Sequence, residues 1–173
     1  MMRRASLLRD TNAAAAAEMA LVLPILLILL FGSVELGNFF LAEHVIDKAV
    51  RDAARYAGRL PITDYDCSVP SVDATALQQI QQVARFGDPT ETYDTKARLR
   101  DWTDSGMTTV TLVCDTDVAH TYVNSGLYEN FPEGVPVVTV RTRIPYTTFF
   151  GALGLGGPTI DLNATQQAAV FGA

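Results

Sequence analysis

Residues 13–57 read AAAAAEMALVLPILLILLFGSVELGNFFLAEHVIDKAVRDAARYA, and two different patterns meet there without a break. From Ala13 to Val34 the run is apolar on every side except at Glu18. That is the length a helix needs to cross a ~30 Å hydrocarbon layer at about 1.5 Å per residue. From Ala42 the pattern turns amphipathic: Ala42, Val45, Ile46, Ala49, Val50, Ala53, Tyr56 and Ala57 recur at helical spacing, with His44, Asp47, Lys48, Arg51, Asp52 and Arg55 opposite. Asp47 with Arg51 and Lys48 with Asp52 are expected as ion pairs one turn apart, and Gly58 followed by Pro61 supplies the stop. A cleaved signal peptide also begins with a basic segment and an apolar run, but it ends in a short polar region where this chain stays helical. One helix is therefore expected to cross a membrane and leave it as an amphipathic rod.

Charge orients that helix. Arg3, Arg4 and Arg9 precede the apolar run against Asp10 alone, while acids dominate from residue 61 onward. Basic flanks stay cytoplasmic, so the N-terminus is expected inside and residues 60–173 outside. The formal charge of −6 argues against nucleic acid as a partner, since phosphates need clustered Lys and Arg. Export places Cys67 and Cys114, the only two cysteines, in an oxidising compartment where a disulfide between them is expected. The alternative is two unpaired buried thiols, and two cysteines alone make no metal site.

Within the apolar run, Pro24 removes one backbone donor and is expected to kink the helix or loosen its previous turn, and Gly32 and Gly37 leave room for a neighbouring backbone. The small-residue stripe beyond residue 41 has to pack against the body, another subunit, or both. Glu18 is the informative residue, because a carboxylate in an apolar run is costly unless a cation or an interface satisfies it. A cut between Ala13 and Ala14 would make Glu18 the fifth residue of the mature chain and set a new α-ammonium about one helical turn away.

The segment from residue 9 to 59 resembles the N-terminal region of the TadE-like minor pseudopilins of tight-adherence, or Flp-type, pilus systems. Glu18, Pro24, Glu35 and the run from Asp47 to Ala57 carry the likeness. The resemblance implies that a prepilin peptidase removes a short basic leader, that Glu stands fifth in the mature chain, and that the helix joins or primes a pilus. It implies a bacterial inner-membrane protein with a cytoplasmic N-terminus and a periplasmic body. Its partners would be membrane lipid, the prepilin peptidase, other pilins or pseudopilins and the assembly machinery, with no cofactor. The family's usual residue before the cut is Gly, where this chain has Ala13. Left uncut, the chain would be a single-pass protein whose periplasmic domain binds another envelope component. The organisation expected is a basic leader (1–13), a transmembrane and amphipathic helix (14–59), and an α+β periplasmic domain (60–173).

In that domain a helix is expected from Val72 to Phe86, capped by Asp73, with Leu77, Ile80, Val83 and Ala84 inward and Gly87 and Pro89 at its end. A second is expected from Tyr93 to Trp102, with Ala97, Leu99 and Trp102 inward. Period-two alternation marks three strands at 107–114, 137–146 and 159–171. Val110, Leu112 and Cys114 share one face of the first, and Val138, Val140 and Ile144 one face of the second, with Arg141 and Arg143 outward. Ile160, Leu162, Ala164, Ala168 and Val170 line the third. The simplest sheet is antiparallel and covered by helix on its apolar face, which is also the pilin-like plan that the resemblance implies.

Catalytic chemistry has little to stand on. His44 and His120 sit in no nucleophile, metal or acid–base motif. The segment GALGLGGP (151–158) lacks the Lys and the spacing of a phosphate loop. Asp64 with Asp66, or Asp115 with Asp117, lacks the ligand series of a calcium loop. Asn163 with Thr165 fits a glycosylation sequon that carries little weight in a bacterial protein. No enzyme is expected.

Overall fold

The computed structural model describes residues 11–115, 128, 134–148, 151 and 160–172. Helix α1 runs from Thr11 to Ala57 with Pro24 inside it. The chain divides between Phe40 and Leu41 into two compact units.

In the first unit the apolar side chains from Ala15 to Val34 are exposed among the described residues. Leu21 is 74% exposed and Ile28 70%, and no residue from Ala15 to Val34 is buried. Its mean hydropathy reaches 2.5 over 18 residues, which suits a single membrane span. Ser33 turns its hydroxyl back onto the Leu30 carbonyl at 2.8 Å, so its one polar group is satisfied inside the helix.

In the second unit the amphipathic stripe is used. Ala42, Ile46, Ala49, Val50, Ala53, Ala54 and Ala57 are buried. At the end of α1, the Tyr65 hydroxyl donates to the Ala57 carbonyl at 2.7 Å, one of the acceptors that a helix terminus leaves open. Gly58 accepts from the Phe171 N–H at 2.9 Å, and Gly172 accepts from the Ile62 N–H at 3.2 Å. A Cβ on Gly172 would lie 2.0 Å from the Leu60 carbonyl oxygen, so only glycine admits this approach. The C-terminal segment is laced to the exit of α1 in this way.

Strands β1 (Tyr65–Asp66) and β2 (Ser71–Val72) form a two-pair hairpin, and α2 follows from Ala74 to Phe86. Asp73 caps α2 by accepting from the N–H groups of Thr75 and Ala76, and Gly87 ends it at φ 85°. The expected start at Val72 is two residues early because Val72 pairs with Tyr65 instead. Strands β3 (Thr108–Asp115), β4 (Val135–Tyr146) and β5 (Ile160–Ala169) form an antiparallel sheet in that order. Thr108, Leu112, Val138, Val140, Thr142, Ile144, Leu162 and Ala164 are buried on one face. The buried hydroxyls of Thr108 and Thr142, opposite one another in register, hydrogen-bond at 3.0 Å. Thr109, Thr111, Arg141, Arg143, Asn163, Thr165 and Gln167 stand on the exposed face.

The helix expected from Tyr93 to Trp102 does not form. Only Asp94–Lys96 makes a single 3-10 turn. Arg85, reaching out of α2, donates through Nε to the Trp102 carbonyl at 2.8 Å and through Nη2 to the Thr103 carbonyl at 2.7 Å, and pairs with Asp94 at 2.8 Å. These bonds tie the segment to α2 as a series of bends and short turns. Trp102 is fully buried all the same. The expected ion pairs along α1 are also absent among the described residues: Asp52 is taken by Arg98, whose two terminal nitrogens lie 3.0 and 3.1 Å from it. His120, Asp117 and residues 152–158 of the glycine-rich segment lie outside the described residues.

Candidate functional site

Three features could carry function: the acid in the apolar helix, the disulfide-bonded end of the body, and the exposed face of the sheet. Glu18 lies in α1 four residues beyond Ala14, a rise of about 6 Å. Leu21, Val22 and Ile25 share its face at helical spacing, and all are exposed. Glu18 is itself exposed, and among the described residues no hydrogen bond or ion pair meets it. An acceptor-only carboxylate on an apolar rod can do one thing well, which is to bind a cation or an N–H group brought to it by something else. Ala13 and Ala14 belong to the same helix.

The second feature is covalent. Cys67 and Cys114 are bonded, with their Cα atoms 5.7 Å apart, so the β1–β2 hairpin is tied to the end of β3. Beside the bond, Asp66 accepts from the Ser68 N–H at 2.8 Å and from its hydroxyl at 2.6 Å. Those bonds, with one from the Val69 N–H, hold its carboxyl below the usual range. Tyr65 is pushed the other way, chiefly by burial and then by the neighbouring Asp64 carboxylate. The acids here are engaged in turn and cap bonds, and no group of three His, Cys, Asp or Glu capable of holding a metal occurs among the described residues.

The third feature is a shallow open groove on the outer face of the sheet, lined by Thr109, Thr111, Thr139, Arg141 and Thr165. Arg143 at its rim is held by Asp161, its Nε at 2.9 Å. Among the described residues the groove is lined by hydroxyls and cations, with no carboxylate or imidazole. His44 stands exposed on α1, outside the groove.

The sequence does not announce Arg85 or Arg98. Both act over long separations, on Trp102 and on Asp52 respectively, and neither lies in a local motif. The only signal for Arg85 was its place in the last turn of an amphipathic helix, where a solvated role is the ordinary expectation.

Residues 13–55 match the family model of TadE-like proteins. The matched segment contains Glu18, Pro24, Glu35 and most of the amphipathic stripe, and it ends two residues before α1 does. No curated protein and no solved structure matches the chain. The TadE-like family implies a role in the biogenesis of Tad/Flp pili and is a pilus-assembly family with no known catalytic activity.

Proposed function

We propose that this TadE-like chain is a minor pseudopilin of a tight-adherence type IV pilus system, processed between Ala13 and Ala14 and packed by its N-terminal helix into or beneath a pilus. Glu18 carries the reading: it is an exposed carboxylate on an exposed apolar helix, one turn beyond the bond that would be cut. The cut creates an α-ammonium, and a carboxylate in a low-dielectric layer recruits such a charge from its own chain or from a neighbour. Without the leader the chain keeps 10 basic and 18 acidic residues, so the exported body is strongly acidic.

In this account the helix anchors the chain in the inner membrane, the body lies in the periplasm, and the other pilins and the assembly machinery are its partners. Replacing Glu18 with Ala in the native host should abolish piliation while leaving the protein in the membrane fraction, and Glu18→Gln should do the same. Normal piliation in Glu18→Ala would overturn the assignment.

A second reading is favoured by Ala13, which stands where the family has Gly. In it the chain stays whole, Glu18 is a solvated charge near the cytoplasmic interface, and the periplasmic domain binds another envelope component.

A further inference from the structure

The face of α1 opposite its buried stripe is basic. His44, Lys48, Arg51 and Arg55 are all exposed, and at 3.6 residues per turn they fall within an arc of roughly 60°. Arg59 follows, also exposed. The acids of the same helical segment are turned aside: Glu43, Asp47 and Asp52 are half-buried, and Arg98 engages Asp52. Among the described residues, no ion pair reaches Lys48, Arg51, Arg55 or Arg59.

The rest of the body has the opposite balance. Of the 19 acidic residues 13 follow Arg59, against 6 of the 13 basic ones. Three of those acids are gathered at the β1–β2 hairpin. Asp66 pairs with Ser71 in the hairpin, and the Asp73 N–H donates to the Asp64 carbonyl at 2.8 Å. Asp66 and Asp73 are exposed, and their carboxylates receive N–H and hydroxyl donors from Ser68, Val69, Thr75 and Ala76 and, among the described residues, no cation. The disulfide at Cys67 fixes this acidic end to the sheet.

We propose that the basic crest of α1, formed by Lys48, Arg51 and Arg55, docks on the hairpin end of a second copy of this chain that carries Asp64, Asp66 and Asp73. Charge complementarity between two surfaces of one sequence selects the occupant. A lipid surface fits less well, because an amphipathic helix that binds one gives its apolar face to the acyl chains, and here that face is buried in the body. The two patches differ, so the contact is heterologous and leaves each copy with one patch still free, which is how open-ended arrays grow. Single exposed ion pairs are weak, so the contact depends on several acting together and is sensitive to salt. Both surfaces lie outside the leader, so the inference does not depend on the cut, and its failure would leave the role of Glu18 untouched.

The test is energy transfer between donor- and acceptor-labelled copies of the full chain in dilute phosphatidylcholine vesicles. Transfer should be present at low ionic strength and fall at about 1 M salt, where screening acts within about 3 Å. Arg51→Glu with Arg55→Glu should weaken association at least about tenfold, and Arg51→Lys with Arg55→Lys should retain it. A copy bearing Asp66→Lys with Asp73→Asn, the Asn keeping the helix cap, should also fail to associate with itself. Mixing it with the Arg51→Glu, Arg55→Glu copy should restore transfer. Association unchanged by the Glu substitutions overturns the proposal. So does an effect of those substitutions confined to vesicles that contain an anionic lipid, which would make the crest a lipid-reading surface.

Discussion

Removing the disulfide is the perturbation whose magnitude follows most directly from the structure. The bond joins residues 47 apart in sequence. By the chain-entropy argument, closing a loop of that length removes unfolded-state freedom equivalent to about 4 kcal/mol. The hairpin held by the bond has two residue pairs, too few to persist by themselves, so little local structure stands ready to replace the constraint. Since domains of this size have roughly 5–15 kcal/mol in all, Cys67→Ser with Cys114→Ser should take away a large share. The assay is urea unfolding of the full chain in neutral detergent, followed through Trp102, the only tryptophan and fully buried. With a slope of about 2 kcal/mol per molar urea, the midpoint should fall by about 2 M, and reductant should reproduce the shift in the unmodified chain. Cys67→Ala with Cys114→Ala separates the lost bond from the added hydroxyls. A loss below about 1 kcal/mol in both double variants would refute the entropy argument and mean that the unfolded chain already holds this region together.

Three further outcomes are expected. Arg85→Met leaves the Trp102 and Thr103 carbonyls without their guanidinium donor, so stability should drop by about 1–3 kcal/mol and Trp102 emission should shift to the red. Gly172→Ala drives a Cβ into the Leu60 carbonyl, so thermal unfolding should begin earlier by the equivalent of about 1–3 kcal/mol, while the same change at Gly37, where a Cβ meets nothing, should not alter the melt of the body. Melting temperature should decline at both ends of the pH scale. Asp66, Asp73 and Asp88 are held below the ordinary carboxylate range by hydrogen bonds, and Glu91 by Lys96 above all. Their contribution is complete above about pH 4 and is lost as pH falls through the folded values. Tyr65 and Tyr56 are raised, mainly by burial, so stability is lost as pH climbs past about 10, where the unfolded chain releases protons that the fold retains.

What could be read from the sequence was whatever local chemistry determines. The stripe from Ala42 to Ala57 is buried as its spacing requires, Asp73 caps and Gly87 ends α2, and the alternation in β3, β4 and β5 places the inward residues on one face, except that Ile160 at the start of β5 is exposed rather than inward. Strand ends were less legible: β4 begins at Val135 rather than Val137, and β5 stops at Ala169 because Phe171 turns to the end of α1. The misread segment is 93–102, where apolar spacing suggested a helix but Arg85, distant in sequence, fixes the backbone from outside. The same kind of tertiary capture took Asp52 from its helical neighbour to Arg98, and its consequence is the uninterrupted basic crest. Of the candidate site, the cysteine pairing was legible because two cysteines in a body expected to be exported have only each other. Glu18 was legible because a lone charge in an apolar run calls for a reason, and the basic residues of the crest were legible as the polar face opposite the stripe, whereas the removal of Asp52 to Arg98 depends on a distant contact that no local pattern reveals.

The central claim is that the chain is processed, and the direct measurement is the N-terminal residue and intact mass of the protein isolated from its native membrane. A processed chain, the expected result, starts at Ala14, with Glu18 as its fifth residue. A chain that still starts at Met1 would contradict the claim and would leave the uncut, membrane-anchored reading in its place.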